Sequence, residues 1–286
     1  MAQGSPGSAP LPGGGHVFHS TDAAASWRAG AASRAIWLGP ATELMLDLAD
    51  ISAGSTVVAI AAGTGEEVVA AAQRVGPSGS VLATDISAQM LAATEAMAGE
   101  LGLTNVRTHV ADAHDLGLED ASFDAAICRL GLHFLADLPR ALADIHRVLK
   151  PGGKLSALVW SSAQSNPYTS IQVDLVRQHR EEVGLPVRPS VAFVLGDPVK
   201  LGDSLRGAGF TDVSVRAVPH RRRFGSAAAA VQNIFEEFPA QRAIAAELPQ
   251  EHFRAVLAET EAAFGQFAVA DGVDLPGEVL VVVGTR

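Results

Sequence analysis

An α/β fold with a mostly parallel sheet flanked by helices follows from three features of the 286-residue chain. Short apolar runs at 56–61, 80–84, 106–110, 123–128 and 154–160 have the length and composition of buried strands. Stretches of helical length at 66–75, 87–101 and 137–149 separate them, and that alternation builds right-handed βαβ units. The first apolar run ends in Gly63-Thr64-Gly65, which opens a helix, and the second ends on an acid, Asp85.

Taken in order, residues 1–15 are rich in Gly, Pro, Ser and Ala and read as a disordered tail. Residues 16–50 read as an N-terminal helical cap with Trp27, Ile36, Trp37, Leu38, Leu44, Met45 and Leu48 on its apolar side. Gly39-Pro40 is expected to split that cap in two. Residues 51–160 carry the alternating core. Within it Ser87 is a plausible N-cap, Pro77-Ser78-Gly79 a turn, and Lys150-Pro151-Gly152-Gly153 a helix stop before the next strand. Residues 161–286 hold the rest: helices at 168–181 and 198–208, a strand at 212–218, long helical stretches at 226–246 and 249–267, and a buried strand at 277–283. A helical lid over a binding pocket is expected at about 220–270, and no internal repeat is present.

Composition removes several function classes. Hydrophobic residues make up 48% of the chain, so it has a core to bury. No apolar run is long enough to cross a bilayer, and no basic-then-apolar leader opens the chain, so a cytoplasmic location without membrane attachment is the expectation. A single cysteine, Cys128, excludes an internal disulfide and a cysteine-built zinc cage. The net charge of −10 argues against nucleic acid as a partner. The basic run His220-Arg221-Arg222-Arg223 reads as a charged strand end that discourages edge pairing, or as a contact for an anionic substrate. His16 and His19 lie in the flexible tail, and no metal site is expected. A homodimer is compatible with the sequence, but nothing in it marks an interface.

Ligands of open α/β sheets sit beyond the carboxyl ends of the strands. Four such ends carry glycine or polar residues here: Gly63-Thr64-Gly65, Asp85, Asp112 and Arg129. At βαβ spacing, they describe a site for a nucleoside-bearing cofactor, with the acid accepting from ribose hydroxyls. No Gly-Lys-Ser or Gly-Lys-Thr phosphate loop exists, and Val68 stands where a dinucleotide fingerprint needs its third glycine. Glu66 and Glu67 occupy the first turn of the following helix. They would repel a pyrophosphate there but suit a cationic ligand such as S-adenosyl-L-methionine (SAM).

Over residues 40–160 the sequence closely resembles the class I SAM-dependent methyltransferases, in particular the ubiquinone/menaquinone-biosynthesis-like, or type 11, branch. The shared stretches are Ala61-Ala62-Gly63-Thr64-Gly65, Ala83-Thr84-Asp85-Ile86-Ser87 with Met90 and Leu91, Ala111-Asp112-Ala113, Ser122-Phe123-Asp124-Ala125-Ala126-Ile127, Arg129-Leu130-Gly131-Leu132-His133-Phe134, and Ile145 through Gly153. The resemblance implies a Rossmann-like sheet of seven strands, the last antiparallel, and SAM as cofactor. It implies cofactor contacts at Ala61, Gly63, Thr64, Gly65, Asp85, Ile86, Met90, Asp112, Ala113 and Arg129. In that family the glycine loop backs the methionine part, the Asp85 position takes the ribose, Met90 lies against adenine, Asp112 and Ala113 recognise it, and Arg129 sits by the methionine moiety. One departure stands out: Ala59 replaces the acid that usually opens the glycine motif and supports the cofactor's amino group. Glu66 is a candidate substitute.

The expected reaction is O- or C-methylation of a largely apolar small molecule, with His133 as candidate general base. Aromatic residues expected around the pocket are Phe18, Trp27, Trp37, Trp160, Tyr168, Phe193, Phe235, Phe238, Phe253, Phe264 and Phe267. Ala59 motivates an alternative: a methyltransferase-fold enzyme that uses SAM as a structural or electrostatic element in cyclising or decarboxylating a natural product.

Overall fold

A computed structural model describes residues 21–187 and 190–286. The tail 1–15, Phe18 and the His16/His19 pair therefore lie outside the described residues. Two helices, α1 (Thr21–Ala29) and α2 (Ala31–Leu48), lead into the alternating core: β1 (Thr56–Ile60), α3 (Glu66–Val75), β2 (Ser80–Asp85), α4 (Ala88–Glu100), β3 (Val106–Val110), β4 (Phe123–Arg129), α5 (Leu138–Val148) and β5 (Leu149–Trp160). The remainder is α6 (Pro167–Glu182), α7 (Pro198–Gly207), β6 (Thr211–Phe224), α8 (Ala227–Glu237), α9 (Pro239–Ala246), α10 (Gln250–Phe264), the two-residue β7 (Ala268–Val269) and β8 (Gly272–Thr285).

The sheet runs β3-β2-β1-β4-β5-β8-β6, with β7 attached to β8. The pairs of β1 with β2 and β4, of β2 with β3, and of β4 with β5 are parallel, whereas β8 is antiparallel to both its neighbours, β5 and β6. The mostly parallel seven-strand path expected from the sequence is thus present. Ala59 pairs with Ala83 and Ile127, and Asp85 with Val110, so the carboxyl ends of β1, β2, β3 and β4 finish along one edge. Successive strand residues point to opposite faces. Val57 and Ala59 join the core that takes in α2 and α3, while Val58 and Ile60 join the core that takes in α5 and α7. A third cluster, with Tyr168, Ile234, Phe235, Val256 and Phe264, packs α6, α8 and α10 together beyond the sheet. No helix among the described residues is long and apolar enough to cross a membrane.

Four local expectations are corrected. Gly39-Pro40 does not split α2, which breaks instead at Gly30. Proline normally drives its predecessor out of helical geometry by striking that residue's Cβ, and glycine has none. Ile36, assigned to the apolar side, is 80% exposed, and Arg34 is buried in its place. The stretch 226–246 is two helices, because Pro239 at the first turn of α9 ends α8. The run His220–Arg223 is a charged edge only in part: at the end of the edge strand β6, Arg221 and Arg223 are exposed and share Asp274, whereas alternation buries Arg222 against Glu237.

Candidate functional site

The loop after β1 is held through both backbone polar groups of one residue. Gly63 donates its N–H to Asp85 Oδ2 at 2.9 Å, and its carbonyl accepts from the Thr94 hydroxyl of α4 at 2.9 Å. The turn needs left-handed backbone at Ala61, Gly63 and Gly65, with φ of 51°, 56° and 90°. At Gly65 the need for glycine is doubled, since a Cβ there would lie 2.7 Å from the Thr94 side chain. Asp85 also accepts the Ser87 N–H through Oδ1 at 2.9 Å, and Ser87 in turn caps α4 by accepting the Met90 N–H. One carboxylate therefore joins the glycine loop, the end of β2 and the start of α4.

At the end of β3, Asp112 Oδ1 accepts the His114 N–H at 2.9 Å and meets His114 Nδ1 at 2.5 Å. His114 Nε2 accepts from the Asp137 N–H at 3.1 Å, which puts the ring proton on Nδ1, facing Asp112. Burial alone would raise the Asp112 carboxyl, but the two bonds from His114 outweigh it and hold the group below its ordinary range. Asp112 is thus an anion at neutral pH.

Beyond β4 lies an ion cluster that the motif reading did not foresee. Arg129 bonds Glu66 and also Glu67, the latter at 3.1 Å. The other oxygen of Glu66 takes the guanidinium of Arg34, which reaches the Trp27 carbonyl as well and lies over the Trp27 ring at 4.2 Å. All four side chains are nearly enclosed: Arg34 is 1% exposed, Glu66 11%, Glu67 3% and Arg129 6%. Two acidic and two basic side chains meet here. Burial pushes the Glu67 carboxyl up to about 7, with Arg129 limiting the rise. Arg34 Nε and Nη1 have no hydrogen-bond partner among the described residues, although both are buried. Gly30 makes room for that side chain, since a Cβ there would stand 2.6 Å from Nη1.

These groups surround one cavity. Ala61, Gly63, Asp85, Ile86, Met90, Asp112, Ala113 and Arg129 all line it, together with Glu66, Glu67 and Arg34. Trp27, Leu38, Phe134 and Leu135 add apolar wall. Thr64 and Gly65 do not line it: Thr64 is fully buried and Gly65 serves as the turn. His133 does not line it either. It is 6% exposed, its ring packs 4.2 Å from that of Phe134, and burial pushes it down to about 4, so it is neutral at physiological pH. Of the expected pocket aromatics among the described residues, only Trp27 lines the cavity. Trp37 and Trp160 stack in the core, and Tyr168, Phe235, Phe253 and Phe264 pack within the helical cluster. Among the described residues, none from 220–270 lines the cavity. Those helices meet α1 instead, where Phe238 packs edge-on to Trp27 and the Glu236 carbonyl accepts from Ser26.

Arg34 and Thr94 escaped the motif reading. Arg34 had a signal, since it lies on the helical face of Trp37, Leu38, Ala41 and Met45, where an arginine has no reason to be unless it is paired. The donor set suits a nucleoside with a zwitterionic tail. Glu66 and Glu67 are acceptors that suit an ammonium, Arg34 has buried nitrogens without a partner among the described residues, and the two glutamates oppose any phosphate at the start of α3.

Comparison with known proteins agrees. Residues 58–157 match the family profile of a methyltransferase domain. The chain is 30% identical to nocamycin O-methyltransferase of Saccharothrix syringae over 188 residues, 61% of this chain and 65% of that one. It is 42% identical to the ubiquinone/menaquinone biosynthesis C-methyltransferase UbiE of Bordetella avium over 113 residues, 40% of this chain and 44% of that one. It therefore spans less than two thirds of either relative's length. Among solved structures, YcgJ from Bacillus subtilis shares the fold at a TM-score of 0.55 and 18% identity, covering 86% of this chain and 97% of that one.

Proposed function

We propose that the chain is a class I SAM-dependent methyltransferase that methylates an oxygen or carbon of a largely apolar small molecule. Its cofactor is SAM, whose sulfonium supplies an already activated methyl carbon. The chain's own work is then to hold, align and keep dry.

One observation carries the reading: the glycine loop, Asp85, Asp112 and the Arg34–Glu66–Arg129–Glu67 cluster converge on a single cavity. Under this reading Asp85 accepts from the ribose hydroxyls, Asp112 and the Ala113 backbone meet adenine, and Met90 and Ile86 flank the ring. Glu66 and Glu67 take the ammonium in place of the acid that Ala59 lacks. Arg34, with two unsatisfied nitrogens, takes the carboxylate. Trp27, Leu38, Phe134 and Leu135 exclude water and offer an apolar surface to the acceptor. The likeness to an O-methyltransferase named for a natural product supports an acceptor of that class. His133, neutral and off the cavity, is assigned to packing beneath this turn rather than to proton transfer.

Calorimetry with SAM and with S-adenosylhomocysteine tests the binding step, with one site per chain expected for each. Labelled SAM offered with phenols, quinol precursors and polyketides should then give methylated product and equimolar S-adenosylhomocysteine. No affinity for either nucleoside sinks the proposal. Ala59 favours a second reading, cyclisation or decarboxylation with SAM as a fixed electrostatic element. It predicts product formed with SAM bound and no S-adenosylhomocysteine released.

A further inference from the structure

On the far side of the helical cluster, α6 and α10 bring together residues that no sequence motif joins. His179 and Glu182 sit three apart on one face of α6, and His252 comes from the first turn of α10. His179 Nδ1 lies 2.9 Å from His252 Nδ1 and 3.5 Å from Glu182 Oε2, and His252 Nδ1 lies 3.8 Å from the same oxygen. We propose that His179, His252 and Glu182 form a zinc site that ties α6 to α10.

The argument starts from size. Donor atoms about 2.0–2.2 Å from a four-coordinate zinc stand roughly 3.3–3.6 Å apart. The three separations here scatter around that edge length, so the triangle already has the dimensions of one tetrahedral face. Two imidazole nitrogens this close share either one ring proton, as donor and acceptor, or a metal ion. Imidazole with carboxylate selects zinc and its transition-metal neighbours over magnesium or calcium, which prefer all-oxygen cages.

The surroundings add an independent feature. The other ring nitrogen of His179, Nε2, faces Glu259 Oε1 at 3.4 Å from the next turns of α10 and has no hydrogen-bond partner of its own. A carboxylate behind a histidine fixes the proton on the distal nitrogen and leaves the near one as a lone pair, the arrangement that metal-bound histidines share. Charge also closes: Glu182 and Glu259 together neutralise a divalent ion. The nearest guanidinia of α6 are engaged elsewhere, Arg177 with Asp174 and Glu181, and Arg180 with Glu247. Access is graded, with the His179 side chain 7% exposed, His252 24% and Glu182 47%, so an ion can enter from the Glu182 side and keep a water as fourth ligand. None of the three residues lines the cofactor cavity, and the ion's task is to cross-link two helices.

The untagged full-length chain, stripped with chelator and dialysed against zinc chloride, should retain one zinc per chain. Cobalt chloride in its place should give the visible band of a tetrahedral site, and zinc should raise the unfolding temperature reversibly. His252→Gln and Glu182→Gln, both at the open side of the site, should each weaken zinc binding by about tenfold or more and abolish the thermal shift. Circular dichroism of the metal-free variants checks that they fold. Failure to retain one zinc per chain overturns the proposal, as does equal retention by the wild type and both variants.

Discussion

Asp85 binds the glycine loop through one carboxylate oxygen and the start of α4 through the other, so the side chain expected to meet a ribose also shapes the wall around it. Hydrogen bonds to a charged acceptor contribute about 1.5–3 kcal/mol each. Asp85→Ala should therefore lower SAM affinity by roughly tenfold to a hundredfold, read by calorimetry, and unchanged affinity would remove Asp85 from the cofactor site. Residues of this kind were legible because a parallel sheet brings its carboxyl ends to one edge, and a polar residue at such an end has one direction to face. Ala61, Gly63, Asp85, Asp112, Ala113 and Arg129 all obey that rule. Arg34 was not legible by it, because it arrives on a helix from outside the alternating core and is fixed by Glu66 and Trp27 rather than by a strand. His133 shows the converse: it is four residues past Arg129, yet the short 3-10 turn Leu132–Phe134 directs its ring into the interior.

Among the elements, β6 and α8 depend on a pair that strand alternation hides from sequence. Arg222 and Glu237 bond each other at 3% and 1% exposure, and the guanidinium lies 3.8 Å over Tyr168 and 4.6 Å over Trp37. Reading His220–Arg223 as four like residues missed that every second one faces the other side. Removing one member of such a pair leaves a buried charge without its partner and costs roughly 3–5 kcal/mol. Glu237→Ala should show that loss in urea unfolding, and Arg222→Met with Glu237→Leu should recover part of it. A loss below about 1 kcal/mol would mean that water reaches the pair. The same alternation explains why most of the expected pocket aromatics are core: on α6, α8 and α10 they face one another, and their effect on the cavity passes through α1, where Phe238 meets Trp27.

For the molecule as a whole, buried titratable groups set opposing slopes of stability against pH. Glu67 is raised by burial from 4.5 to about 7, so its contribution is complete below pH 4.5 and is lost as pH rises through 7. His133 and His220 are lowered by burial from 6.5 to about 4, His220 with help from Arg222, so theirs is complete above pH 6.5 and is lost as pH falls through 4. His146, lowered by burial and by Arg286, acts in the same direction. Between about pH 4.5 and 6.5 the histidines outnumber the single carboxyl, and stability should rise with pH. From 6.5 to 7 Glu67 is the one of these four groups that still titrates, and the curve should turn down. Glu67→Gln separates the two contributions, because it removes the carboxyl and leaves the histidines. Its urea-unfolding profile should climb more steeply through the acid range and lose the decline above pH 6.5. The wild-type stability, measured relative to this variant, should fall with rising pH by up to ~1.4 kcal/mol per unit across that window. A difference that stays flat from pH 4.5 to 7 would show that Glu67 ionises as an ordinary carboxylate. The Arg129 pairing, rather than burial, would then govern this end of the cavity.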